Sequence, residues 1–449
     1  MYKLGSILLF LIFSLTLNAQ NDTGFRFKDP DQRSEKIKFE LVNNLIIVPV
    51  KLNGVELTFL LDSGVDKTLL IALGTGDSLD LKKAQKVKIR GLGSKDSFEA
   101  FQSIGNTLEI NDAININQEV YFIIDKNNEL AKRLGLPVNG IIGYDFFKDF
   151  IVRINYKTKY IKLYNPDKFN RKLRRYDQLP LQFYKNKPYA TLKVEDESIS
   201  KSNLTFLIDT GSGSSFWFLE NEHISEPELY FQDILGYGLS SIIEGKRSKV
   251  KKVFFGKYEF EEPNSAYPDV QQILEIEKNV VRDGTVGAEV LRRFKLFFDY
   301  PNKRIYFRPN IYFDDSFNYD MSGIVFDYDG VKIVKELKNV RMKTKSDSDE
   351  ISYNNTNDFI MSIGVKPKVV VKAIRDQSPA KDVDILPGDE LLTINGKNAY
   401  DLSLEQIQSI LAEKEGNKVK LEFLRNNKNI EKEIYLRDRL KDLLNNSEN

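Results

Sequence analysis

Two octapeptides in this chain are almost the same. Residues 57–64 read Leu-Thr-Phe-Leu-Leu-Asp-Ser-Gly and residues 204–211 read Leu-Thr-Phe-Leu-Ile-Asp-Thr-Gly, 147 positions apart. Repetition constrains architecture before any single motif does, because a repeated unit folds twice. A second matched pair follows. Ile141-Ile142-Gly143-Tyr144-Asp145-Phe146-Phe147 corresponds to Thr285-Val286-Gly287-Ala288-Glu289-Val290-Leu291, so the Asp-to-Gly interval is 81 residues in one copy and 78 in the other. Each segment is followed by a predicted hairpin, Phe150 to Tyr164 turning at Asn155–Lys159 and Phe294 to Arg308 turning at Asp299–Lys303. Alternating apolar residues around Asn, Asp and Pro carry that signal. Another hairpin precedes each octapeptide: Leu45 to Leu52, Asn53-Gly54 and Val55 to Leu61, then Pro188 to Val194 and Leu204 to Ile208. A single Asp before Gly in an apolar strand reads as a turn cap. Two in matched contexts ask for a shared purpose.

Composition narrows the chemistry. The 449 residues hold no Cys and one His, His223. Disulfides, thiol nucleophiles, Cys-ligated metals and sites needing two histidines are therefore excluded. So is a lipid-anchored lipoprotein, which needs a Cys at its processed start. Carboxylates are the acid/base resource that remains. The 66 Lys plus Arg nearly balance the 65 Asp plus Glu, and a net charge of +1 gives no field for nucleic acid. Lys246, Arg247, Lys249, Lys251 and Lys252 form the most basic stretch, read as a solvated strand edge. Met1-Tyr2-Lys3, an apolar run from Leu4 to Leu17 and Asn18-Ala19-Gln20 read as a signal peptide over 1–19. An uncleaved anchor is the alternative, although the run is short of the ~20 residues a spanning helix needs. The expectation is an exported protein, periplasmic or secreted, with no membrane span once the signal is removed.

These residues carry a resemblance. Leu61-Asp62-Ser63-Gly64-Val65-Asp66-Lys67-Thr68 resembles the active-site segment of retroviral-type aspartic proteases, and Ile208-Asp209-Thr210-Gly211-Ser212-Gly213-Ser214-Ser215 is similar to the pepsin version. The two Gly segments sit where that family places its apolar-apolar-Gly element. The likeness covers roughly 38–310 and implies catalytic Asp62 and Asp209 sharing one proton, one activating water and the other polarising the carbonyl. It further implies that Ser63 and Thr210 cross-link the loops, that Gly64 and Gly211 permit close approach, and that Ser212 reaches Asp209. Thr68 and Ser215 are expected to tie their loops to the neighbouring strand. The sequence departs from the family pattern at Val65, which gives Asp62 no hydroxyl, and at Thr285. Gly91-Leu92-Gly93-Ser94 and Gly236-Tyr237-Gly238 are the two candidate flap tips.

Beyond a polar connector the composition changes. Gln377-Ser378-Pro379-Ala380 and Leu386-Pro387-Gly388-Asp389-Glu390-Leu391-Leu392-Thr393-Ile394-Asn395-Gly396 resemble the core of bacterial PDZ domains. Leu404 to Leu411 fits the groove helix, and Val419 to Leu424 and Ile430 to Leu436 fit the closing strands. Ser322-Gly323-Ile324-Val325 is the loop the resemblance assigns to peptide binding, and Lys343 to Asp358 is a polar insertion read as mobile. The expected fold is mostly β: a two-lobed, pepsin-like double-β-barrel protease followed by a PDZ-like α+β domain. Lobe one spans 20–165, lobe two 166–310, the PDZ-like domain 311–437 and a polar tail 438–449. The expected function is a monomeric aspartic endopeptidase without metal or cofactor, whose PDZ module docks protein C-termini. The alternative is a catalytically inactive peptide-binding scaffold of the cell envelope.

Overall fold

The computed structural model describes residues 24–73, 78–89, 98–123, 138–237, 242–269, 282–340, 343–345, 351–353 and 358–447. The proposed signal peptide, Gly91–Ser94, Gly238 and parts of the polar insertion lie outside these residues.

The first copy starts with β1 (Ser34–Lys38), followed by β2 (Leu45–Leu52) and β3 (Val55–Leu61) as a hairpin. Asn53 (φ 48°) and Gly54 (φ 91°) both turn in the left-handed region, which the twist of a two-residue hairpin demands. Next come β4 (Thr68–Leu70), β5 (Phe98–Ile110), β6 (Ala113–Ile123) and β7 (Gly140–Ile142). The last runs parallel to β3, Ile142 opposite Leu61, and antiparallel to β4. Flanked on both sides, β3 is apolar on both faces at its end, with Phe59, Leu60 and Leu61 all buried. A one-turn helix, α1 (Tyr144–Phe147), leads to the hairpin β8 (Ile151–Asn155) and β9 (Tyr160–Tyr164).

The second copy repeats the path. It contains β10 (Lys187–Glu195), β11 (Asn203–Ile208), β12 (Phe216–Phe218), β13 (Phe231–Tyr237), β14 (Ile242–Lys249), β15 (Asn264–Pro268) and β16 (Gly284–Val286). Here β16 lies parallel to β11, Val286 opposite Ile208, and antiparallel to β12. Then α2 (Ala288–Leu291) precedes β17 (Phe294–Asp299) and β18 (Arg304–Pro309). The terminal hairpins of the copies meet in one six-stranded sheet, where β8 pairs antiparallel with β17, Val152 opposite Phe298. Phe147 stacks on Tyr300 at 5.1 Å, and one apolar core runs through both copies.

The basic stretch is not a strand edge. β14 pairs with β13 on one side and β15 on the other. Its cations are instead engaged by carboxylates: Lys246 with Glu220 (2.6 Å) and Glu226 (2.9 Å), Arg247 with Asp233 (2.5 Å). Counter-charges on neighbouring elements, remote in sequence, make interior placement tolerable.

The connector is pinned by Arg293. Its buried guanidinium donates to the carbonyls of Glu289 (3.2 Å), Phe313 (3.0 Å) and Asp315, and it lies 3.8 Å over the Phe317 ring. Burial pulls its pKa down to about 10.

In the C-terminal module, β19 (Ile324–Val340) pairs with β20 (Asp358–Ile374), and the sheet order continues through β21 (Glu390–Ile394). The helix α3 (Leu404–Leu411) has a capping box: Gln406 N–H donates to Ser403 Oγ (3.2 Å) and Ser403 N–H to Gln406 Oε1 (2.8 Å). Strands β22 (Lys418–Arg425) and β23 (Lys428–Tyr435) complete the sheet, leaving β19 at one edge. Two features go beyond the sequence reading. Within the insertion, Lys343–Lys345 pairs with Ile351–Tyr353, because the long β19–β20 hairpin brings these segments together. The supposed polar tail forms α4 (Arg439–Ser447), whose Leu440 is buried in the module's core. The described residues are mostly β, and no helix among them is long and apolar enough to cross a membrane.

Candidate active site

Each octapeptide ends as its strand gives way to a turn, so Asp62 and Asp209 sit at the ends of β3 and β11. Asp62 N–H donates to Ile142 O (2.9 Å) and Asp209 N–H to Val286 O (2.9 Å), which fixes each loop to the neighbouring parallel strand. The two turns face one another. Thr210 Oγ1 donates to Leu61 O (2.9 Å) and accepts from Ser63 N–H (3.0 Å). Reciprocally, Ser63 Oγ donates to Ile208 O (2.7 Å) and accepts from Thr210 N–H (3.0 Å). Both side chains are completely buried, so four backbone groups that could not reach water are satisfied across the copies.

The carboxyls meet in the space so created. Asp62 and Asp209 share a hydrogen bond. Gly64 N–H donates to Asp62 Oδ1 (2.7 Å) and Gly211 N–H to Asp209 Oδ1 (2.9 Å). A Cβ on Gly64 would lie 2.9 Å from Asp209 Cγ, and one on Gly211 2.2 Å from Asp62 Cγ, so neither position admits a side chain. Burial, then the Asp209 charge and the shared hydrogen bond, hold Asp62 well above the usual carboxylate range, against the pull of Gly64 N–H and Lys187. Two carboxyls in this arrangement favour a singly protonated state, able to take a proton and to give one at the same place.

The supporting residues divide. Thr68 accepts from Gln118 Nε2 (3.0 Å) on β6 and donates to Asp145 Oδ2 (3.3 Å). Ser215 is buried, and its Oγ finds no partner among the described residues; its carbonyl accepts from Gly287 N–H (2.8 Å). The acidic counterpart of Asp145 is Glu289, which faces Asn264 and Arg293 instead. Ser212 lines the cavity and accepts from Ala288 N–H (2.6 Å) through its carbonyl. Sequence reasoning missed Tyr300. It is buried, its hydroxyl has no partner among the described residues, and burial and then the charges of Asp62 and Asp209 push it well above its usual range. Its position in a turn signal concealed it.

The dyad opens into a cavity of about 1000 Å³, lined on one side by Asp62, Asp209 and Trp217 and on another by Ile324, Phe326 and Gln408 of the C-terminal module. Polar and apolar contacts hold that module in place. Asn43 N–H donates to Glu405 Oε2 (3.3 Å). Asp233 on β13 lies 3.1 Å from Arg375, with Arg247 opposite and Asp320 3.6 Å from the same guanidinium. Burial alone would raise Asp233, but Arg247 and Arg375 outweigh it and hold its carboxyl below the ordinary range. Phe231 packs on Tyr319 at 5.2 Å and belongs to the module's core.

The loop expected to bind peptide is largely engaged internally. Ser322 N–H (3.0 Å) and Gly323 N–H (2.9 Å) donate to the Asp320 carboxylate, and Ile324 N–H donates to Ser322 Oγ (3.1 Å). Val325 lines the cavity.

Comparison with known proteins agrees with the two resemblances at domain level. Residues 48–146 match the aspartyl protease family and residues 338–436 match the PDZ domain family. An aspartic-protease-like domain and a PDZ domain are therefore present, the first match covering one copy. The chain is 30% identical over 139 residues to the retrovirus-related Pol polyprotein from transposon 412 of Drosophila melanogaster. That alignment takes in 30% of this chain and spans about a tenth of the relative's length.

Proposed function

We propose that the chain is an exported aspartic endopeptidase in which Asp62 and Asp209 activate water between them, and whose PDZ domain docks polypeptide C-termini. The observation that carries this reading is the reciprocal Ser63–Thr210 cross-link with the hydrogen-bonded dyad it supports. The ionised carboxyl takes a proton from water as it attacks the peptide carbonyl, and the protonated one donates to the developing oxyanion. The proton gained then passes to the leaving amine as the C–N bond breaks, and the diol hydroxyl gives its proton back to the other carboxyl, so the dyad returns to one shared proton. A two-lobed, double-barrel architecture is part of the proposal. It draws support in the first copy, where β5 pairs with both β2 and β6 and completes a ring of pairings through β4, β7 and β3. Among the described residues, the pairings of the second copy run as an open series.

The test is cleavage of an unstructured protein between about pH 3 and 8, the range over which such dyads titrate. Activity should fall as pH rises through the raised Asp62 pKa, and should vanish in both Asp62→Asn and Asp209→Asn. A folded wild type that cuts nothing at any pH yet still binds peptide would leave the scaffold reading instead.

A further inference from the structure

The PDZ groove and the dyad are two walls of one cavity. Leu404, Gln408 and Ala412 follow one another at four-residue spacing, so a single stripe beginning on α3 faces the same space as Asp62 and Asp209. Opposite that stripe run Ile324, Val325 and Phe326, the first residues of β19. Because β19 ends its sheet, its backbone beyond the Ile324 N–H, which Ser322 Oγ already holds, has one side to which an extended chain can add, main chain to main chain. Trp217 and Asn43 also line the cavity. The geometry between the walls is fixed by the buried Asp233–Arg375 pair and by the Asn43–Glu405 hydrogen bond, so the groove is held beside the dyad and not tethered at a distance.

We propose that a single extended polypeptide occupies both walls, strand-paired along the β19 edge while another part of it crosses the dyad. The PDZ domain is then a substrate subsite of the cleft. Its natural substrates are unfolded or extended chains long enough to engage both walls, and short peptides are poor substrates. The kinetic consequence rests on the hydrolytic reading of the dyad; the binding consequence does not.

The experiment uses the full chain and fluorescein-labelled, chemically unfolded casein, with a hexapeptide synthesised around one casein cleavage site as the short comparison. Ser409→Trp fills the groove from the α3 side, and its fold is checked by circular dichroism and thermal melting. It should lower kcat/KM for the long chain at least tenfold more than for the hexapeptide, mainly through KM. An equal loss for both substrates, or no loss for either, overturns the proposal. Binding is read separately by anisotropy in an Asp62→Asn background. There, Ser409→Trp in the groove and Ser212→Trp beside the dyad should each weaken casein binding at least tenfold. Wild-type affinity in either variant means two independent sites and overturns the proposal. Both binding losses in a protein that cleaves nothing at any pH would support the shared groove and sink the hydrolytic reading.

Discussion

At the scale of single residues, the dyad is a place where the fold bears a cost. Asp62 binds its proton more tightly in the native protein than in the unfolded chain, since burial and the Asp209 charge both disfavour the ionised form. A carboxyl raised in this way adds stability at low pH, and that stability is lost as pH climbs from the unfolded value of ~4 through the native one. Asp62→Asn removes the ionisation. Its melting temperature at pH 7 is therefore expected to exceed that of wild type by a few degrees, with the gain shrinking as pH falls toward about 4, where wild type is protonated too. Thermal melts of both proteins from pH 4 to 8 measure this directly. Equal melting temperatures throughout would mean that Asp62 is not strained by its surroundings. The same substitution abolishes the proposed activity, so stability and function should move in opposite directions at this one position.

At the scale of elements, the chain was legible where the signal is local. The hairpin Leu45–Leu61 could be drawn from Asn53-Gly54, and α3 has the bounds that the PDZ resemblance implied. The pairing of β8 with β17 was not legible, because nothing in Ile151–Asn155 names a partner almost 150 residues away. Nor was the default for the basic stretch correct, since Glu220, Glu226 and Asp233 reach it from other strands and loops. In the site, Ser63, Gly64, Thr210 and Gly211 stood out by repetition, whereas Tyr300 looked like an ordinary turn residue. The cross-link between the loops can be tested at this scale. Thr210→Val keeps the shape but leaves Ser63 N–H and Leu61 O buried without a partner, at ~1–3 kcal/mol for each. Thr210→Ser retains the hydroxyl. Urea denaturation should show the valine variant clearly less stable than the serine variant. Matching midpoints and slopes would show that the loops are held by other contacts.

At the scale of the molecule, the question is what keeps the PDZ domain against the cleft. The apolar part of the contact is small, centred on Phe231, Tyr319 and Met321. Beside it, Asp233 lies between Arg247 and Arg375, and both Asp233 and Arg375 are almost fully buried. Removing one partner from such a pair typically costs ~3–5 kcal/mol, because the charge left behind stays desolvated. Two routes relieve that cost: unfolding a domain, or separating the two so that water reaches Arg375. The PDZ domain has its own apolar core of Val371, Leu391, Ile407, Leu421 and Phe423, so separation is the less disruptive route. Asp233→Ala should therefore expand the molecule in X-ray scattering and expose the 311–319 connector to limited proteolysis, while the PDZ core stays folded. Low pH should mimic the mutation only late. Asp233 is held below the usual carboxylate range, so the stability its charge provides is complete above the unfolded value of ~4 and is lost only as pH falls through the lower native value. Wild type should thus remain docked at any pH above about 4. Unchanged scattering and proteolysis in Asp233→Ala would assign the docking to Phe231 and its neighbours, and Phe231→Ala would then be the variant that separates groove from dyad.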